Sequence, residues 1–330
     1  MKTVRILGLC LAAVFALSAM VASAAQAAGP EWGRCVAQKK GEYTDANCQT
    51  KSAKAKKGSH EWVPGPAPSC VAQKKGEYVD SNCTTKSAKP KKGKFEKAGG
   101  PGFTSAGKEG ILNTDFEFCV RGNYTAENCE GKPKSGEEFP LQVECKGESS
   151  SGVVSSATEV ANVKVVFTGC DVFGTVPCNS AGAAEGEIRV NTLKGVLGYI
   201  NKSTKSVGVD LKPASPGDFA KFVCSGTLQT TVGSGPGEVP GEPYYPETGG
   251  DGVISPITPI NEMGMKSTQV YSTSGEENVP NKFEGGPRQS LEDWFENTEN
   301  PPGSQTSAWS RAGQAITTVN TTASEMEIKA

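Results

Sequence analysis

Histidine is almost missing from this chain of 330 residues, in which His60 stands alone. That leaves the body of the protein without a Ser-His-Asp triad or a Cys-His pair. No Cys-x-x-Cys occurs either, so the closely paired ligands of a structural zinc site are lacking. No Gly-rich phosphate loop follows a strand and opens a helix. The stretch "GSGPGEVPG" has the glycines, but its prolines are incompatible with a helix. A 3.6-residue apolar period is not evident anywhere. "RQSLEDWFENTE" is the best helical candidate, and it is short. Beyond the N-terminal segment no apolar run is long enough to span a bilayer.

What is present begins with an address. Lys2 and Arg5 precede the apolar run "ILGLCLAAVFALSAMVASA", and small residues stand at Ala25 and Ala27. This is the pattern of a secretory signal, residues 1–27, cut after Ala27. The remaining chain is expected to be soluble, with no membrane span. Cys10 lies inside the apolar run behind the bulky Leu9, which disfavours a lipoprotein anchor. Ten cysteines remain after the signal, an even number that reads as disulfides in an oxidising compartment.

Six of them belong to a repeat. "CVAQKKGEYTDANC" (Cys35 to Cys48) recurs as "CVAQKKGEYVDSNC" (Cys70 to Cys83), and a shortened copy, "CVRGNYTAENC", runs from Cys119 to Cys129. The deletion in the third copy falls in "QKKG", which reads as the turn of a hairpin whose second strand carries Tyr43, Tyr78 or Tyr124. Asp45 or Asp80 then turns the chain near the second cysteine. The simplest pairing is within each unit, because units this small cannot bury a core of their own and a loop of this size gains about 3 kcal/mol from closure. Pairing between units stays open. In the body, Cys170 and Cys178 flank "DVFGTVP" as a stapled loop, which leaves Cys145 to Cys224 by exclusion.

The near-neutral total charge hides a division. Residues 29–98 hold fifteen Lys or Arg against seven Asp or Glu, whereas residues 99–330 hold seventeen against twenty-nine. A basic arm precedes an acidic body. Its lysines have three readings: soluble linkers, attraction to an anionic surface, or attraction to the chain's own acidic body. Outside a cell the anionic surfaces are wall phosphates, peptidoglycan carboxylates or lipids rather than nucleic acid. Lysine suits non-specific attachment better than bidentate recognition. Trp32 and Trp62 each follow a Glu, with Phe95 as the analogue in "KFEK". Each can stack on a sugar or pack on its disulfide, and packing is favoured because the unit offers little else to cover the ring.

A Gly-rich stretch, 98–110, reads as a linker, 111–138 as the third repeat, and 139–330 as one domain. That domain is a succession of short β-branched segments punctuated by Gly and Pro. The fold class is all-β: an antiparallel β-sandwich or partly closed barrel, preceded by disulfide-stapled hairpins. Two proline-rich loops interrupt it. One carries Tyr244 and Tyr245 among Glu242, Glu247 and Asp251, a mix suited to a sugar, a cation or plain solvent. "SLEDWFENTE" supplies Glu292, Asp293 and Glu296 around Trp294, the minimal equipment of a glycosidase and equally a chance cluster.

The segments "EWGRCV", "GEYTDANC", "EVANVKVVFTGC", "CNSAGAAEGEIRVNTLKGVLGYI", "VGVDLKP", "GVISPITPINEM" and "KFEGG" resemble a group of exported actinobacterial proteins of unknown function. The resemblance implies export and a modular layout, and no reaction or catalytic residue. The expectation is therefore a secreted or envelope-associated bacterial protein without catalysis, cofactor or metal, binding an anionic wall polymer or glycan. Its binding candidates are Trp32, Lys39, Lys40, Trp62, Lys74, Lys75, Tyr244 and Tyr245. A glycan-cleaving hydrolase and a protein-binding module are the alternatives.

Overall fold

The structure is a computed structural model that describes residues 29–66, 69–79, 85–89, 91–98, 102–107, 110–115, 140–172, 174–224, 228–233, 250–274, 277–297 and 307–330. Every element among them is a strand. The repeats contribute β1 (Glu31–Gly41), β2 (Gly58–Pro64), β3 (Ser69–Gly76) and β4 (Gly93–Ala98). Next come β5 (Gly102–Gly107), β6 (Gly110–Asp115), β7 (Pro140–Cys145), β8 (Gly147–Val154), β9 (Glu159–Thr168) and β10 (Asp171–Val172). Then follow β11 (Val176–Asn179), β12 (Ile188–Arg189), β13 (Leu193–Asn201), β14 (Ser206–Pro213), β15 (Ala220–Cys224) and β16 (Leu228–Gly233). The chain finishes with β17 (Gly250–Asp251), β18 (Val253–Thr258), β19 (Gly264–Ser274), β20 (Glu277–Val279), β21 (Gln289–Asn297) and the 23-residue β22 (Ser307–Lys329).

The body is a barrel. Antiparallel ladders run β6-β7-β10-β11-β15-β16-β21-β22 and return to β6, closing an eight-stranded ring. A second cycle of antiparallel ladders runs β5-β8-β9-β13-β14-β18-β19-β22 and returns to β5. The early part of β22 serves the first ring and its later part the second, so the two follow one another along this strand. Closure leaves each ring without an unpaired edge. Val143, Val163, Leu211, Phe222, Ile257 and Leu291 lie in one contiguous core that spans both rings.

Several readings change. Residues 102–107, taken as linker, are β5, and residues 110–115 are β6 rather than the start of a third repeat; both complete the barrel against β22. The remainder of that repeat, with Cys119 and Cys129, lies outside the described residues. Within "RQSLEDWFENTE", Gln289–Asn297 forms β21, not a helix, because its backbone is claimed on both sides by β16 and β22.

The body disulfides are Cys145–Cys170 and Cys178–Cys224, not Cys170–Cys178 and Cys145–Cys224. The reason is sheet order. Cys178 faces Cys224 in the β11–β15 ladder, its N–H donates to the Cys170 carbonyl at 3.0 Å, and the next residue, Asp171, faces Glu144 of β7. The four cysteines thus form a row across four neighbouring strands. A Cys145–Cys224 bond would have to cross three strand spacings, about 14 Å, where a disulfide reaches about 7 Å between Cα atoms. In the first repeat, Cys35–Cys48 forms as expected. Cys83 lies outside the described residues.

The repeats are hairpins of a different kind from the one expected. "QKKG" is not a turn: it continues β1 through an irregularity between Ala37 and Gly41, with Lys40 at φ 68°. The partner of β1 is β2, which follows the basic tract, and β3 pairs with β4 in the same way. Tyr43 forms only isolated bridges, to Lys51 and His60, and Tyr78 does so to Lys86 and Phe95. Phe95 therefore occupies the place of His60, not of Trp62. Gly41 faces Gly58 and Gly76 faces Gly93. A Cβ on Gly41 would lie 2.0 Å from the His60 carbonyl oxygen, and one on Gly58 would lie 2.1 Å from that of Tyr43. Only glycine allows backbones to cross that closely.

Candidate functional site

The first repeat is fastened to the barrel. Glu31, Trp32 and Gly33 of β1 pair with Lys329, Ile328 and Glu327 at the end of β22. Trp32 is only 6% exposed and joins the barrel core. Its N–H donates to Ala157 O at 2.7 Å, and its carbonyl accepts from Gly65 at 2.6 Å. The expectation that Trp32 packs is met, but against the barrel rather than its own disulfide, and this leaves no indole face for a sugar. Trp62 stands opposite Cys35 in the β1–β2 ladder and lies against Gly33, where no side chain intervenes.

Lys329 reaches up from β22 to the rings of Trp62 and Tyr43. Its Nζ lies 4.6 Å from the Trp62 ring centroid and donates to the Tyr43 hydroxyl at 3.1 Å. A cation over an indole face is worth about 1–2 kcal/mol when partly desolvated. Beside it, Glu327 is 2% exposed, with Oε2 3.8 Å from Lys329 Nζ. Burial raises the Glu327 pKa, while Lys329, the Trp62 indole N–H and the Gln49 amide nearby favour its charged form. Gln49 Nε2 also donates to Asn261 O at 3.2 Å. Thus a tryptophan, a ladder of three residues and a lysine clasp hold the repeat in place, and none of its own lysines takes part.

Those lysines face solvent. Lys39, Lys40, Lys51, Lys54, Lys56 and Lys57 of the first repeat are all exposed, and none forms an ion pair among the described residues. Lys75, Lys86, Lys89, Lys91, Lys92 and Lys94 of the second repeat are likewise exposed, with Lys86 3.9 Å from Glu77 in a loose surface pair. The scaffold presenting them is copied at an offset of 35 residues. Lys57 N–H to Lys54 O recurs as Lys92 to Lys89, and Ser52 to Glu42 recurs as Ser87 to Glu77. Lys56 and Lys91 both sit at φ 55°. Asp45 fixes the loop before the tract by accepting N–H bonds from Asn47, Gln49 and Thr50, which draws its pKa down to about 2. The third reading of the sequence, an arm attracted to the acidic body, is therefore half right for the first repeat. It does dock, but through aromatic and strand contacts that spare the lysines.

The side chain of Lys74, the loop carrying Tyr244 and Tyr245, and the side chains of Glu292, Asp293 and Glu296 lie outside the described residues. Among the described residues no group of three or more His, Cys, Asp or Glu could hold a metal, and no helix is long and apolar enough to cross a membrane. Three disulfides are compatible with an extracellular protein. No family model, curated protein or solved structure matches the chain.

Sequence reading missed Lys329, Glu327 and the polar residues of the barrel interior. The C-terminal "EIKA" carries an alternation that would mark it as a strand, but nothing local says that it receives the first repeat.

Proposed function

We propose that the protein is secreted and binds an anionic polymer of the bacterial envelope through the lysine faces of its two repeats, with the barrel as their carrier. The observation behind this reading is that the docking of the first repeat leaves all six of its described lysines exposed and without an ion pair. Lysines serving only to join arm to body would be buried in that contact. Twelve cations on two copies of one scaffold suit a polymer of repeating negative charge, where many weak contacts add. Each contact is a screened surface interaction, worth well under about 1 kcal/mol alone.

The test is co-sedimentation of the purified protein with isolated cell wall. Replacing Lys39, Lys40, Lys56 and Lys57 by Gln should lower bound protein several-fold, and adding the changes at Lys75, Lys91 and Lys92 should lower it further. Unchanged binding in the combined variant would refute the proposal.

A further inference from the structure

The barrel interior holds a cavity of about 130 Å³ whose lining comes from both rings. Its walls differ in character. One side is apolar, with Val160 and Val163 of β9, Leu193 of β13 and Leu211 of β14, which stand across the second ring from β19 and β22. The other is built from β19 and β22, whose inward positions are largely polar. Along β22 the positions turned inward are Gln314, Ile316, Thr318, Asn320 and Thr322, while Val319 between them is 41% exposed. Along β19 Ser267, Gln269 and Tyr271 line the cavity, while Val270 is 39% exposed. In a barrel whose only task were to stay folded, the valines would face inward and the polar residues outward. Departures of that kind collect where a protein has a function to perform.

The inward polar groups form a buried network. Asn320 Nδ2 donates to Gln269 Oε1 at 2.9 Å, and Gln269 Nε2 donates to Ser255 Oγ at 2.9 Å. Thr318 Oγ1 donates to Glu148 Oε2 at 3.2 Å, and Ser105 Oγ donates to Glu148 Oε1 at 3.4 Å. Burial raises the Glu148 pKa and pushes the Tyr271 hydroxyl up to about 12. The stripe thus supplies amide and hydroxyl groups in a medium too dry to welcome a further charge. A cavity of about 150 Å³ lined only by apolar side chains accepts benzene, so this smaller one has room for a molecule no larger than benzene, such as an alcohol of about four carbons.

We infer that the barrel interior is a binding site for a small neutral amphiphile, its hydrocarbon body of about four carbons against the Val163 and Leu211 wall and a hydroxyl or amide head against Gln269 and Asn320. Trp32 of the docked first repeat lines the same cavity. The repeat therefore contributes a wall of the site besides carrying its lysines.

The experiment uses the purified protein, 1-butanol, benzene and butyrate at pH 8, read by calorimetry and by the methyl NMR resonances of Val163, Leu193 and Leu211. Butanol should shift those methyls and bind at least fivefold more tightly than benzene, and butyrate, being charged, should not bind. Gln269→Met should erase the preference of butanol over benzene. Asn320→Leu is the second variant should the first fail to fold, with the same expected loss. Val163→Phe, which fills the apolar wall, should abolish both. No methyl shift with either neutral probe would overturn the site, and benzene binding as well as butanol would overturn the role of the polar stripe.

Discussion

The two described repeats are the same object put to different use. They share their glycine crossings, their tyrosine bridges and their loop hydrogen bonds at an offset of 35. The residues that fasten the first to the barrel are not shared. Trp32, Gly33 and Trp62 correspond to Ala67, Pro68 and Lys97 in the second. Alanine offers little area to bury, proline lacks the N–H that a strand ladder uses, and a lysine replaces the indole that Lys329 covers. What is common to both copies is the scaffold and its lysines. What differs is attachment. Residues held constant at equal spacing thus mark the shared task, and the exceptions fall where the first copy meets the barrel.

Four sets of substitutions would break or sharpen that comparison. Trp32→Ala should have the largest effect, costing about 3–5 kcal/mol in denaturant unfolding, because a buried indole is removed from the core. Phe95→Ala in the second repeat should leave the barrel transition where it is. Second, Gly58→Ala and Gly93→Ala each place a Cβ within 2.3 Å of a tyrosine carbonyl oxygen, and each should destabilise its own hairpin by about 1–3 kcal/mol. Hydrogen exchange at the amides of Ser59 and His60, or of Lys94 and Phe95, would report which hairpin opens. Loosening of both by one change would mean that the repeats are not independent.

Third, Lys329→Met should weaken the docking of the first repeat by about 1–2 kcal/mol. A double-mutant cycle with Trp62→Leu should recover most of that as coupling, and a cycle with Phe95→Leu should recover none. Last and smallest is a pH effect. Glu327 has its pKa raised in the folded protein, so the stability tied to it is fully present below the carboxyl pKa of the unfolded chain, about 4.3, and is lost as pH rises through the folded value. Glu327→Gln should flatten the melting temperature across that window. A steeper loss in the variant would contradict burial as the dominant cause.

Much of the architecture was legible in the sequence because its signals are local. Alternating β-branched segments between Gly and Pro gave the all-β class, and the cysteine spacing gave the repeat and the Cys35–Cys48 bond. Sheet order was not legible. Cys170 and Cys178 are close in sequence and are even neighbours across strands, yet each bonds outward, because the choice depends on where β7 and β15 lie. Likewise β5 looked like a linker because five of the residues from 98 to 110 are glycine, and only pairing on both sides makes it a strand. For the site, the lysines were visible as charge, while their absence from the docking contact was not. The polar lining of the barrel was hidden for another reason: "STQVYST" and "TTVNTT" carry polar residues on both faces, so their pattern does not say which face turns inward.

The claim that the lysine faces bind an anionic polymer is tested most directly by the salt dependence of binding to isolated cell wall. The apparent affinity of the purified protein should fall steadily as ionic strength rises and the Debye length shrinks from about 10 Å to about 3 Å. The variant with Lys39, Lys40, Lys56, Lys57, Lys75, Lys91 and Lys92 replaced by Gln should show a markedly shallower fall. Equal slopes for the two proteins, or affinity independent of salt, would contradict the account.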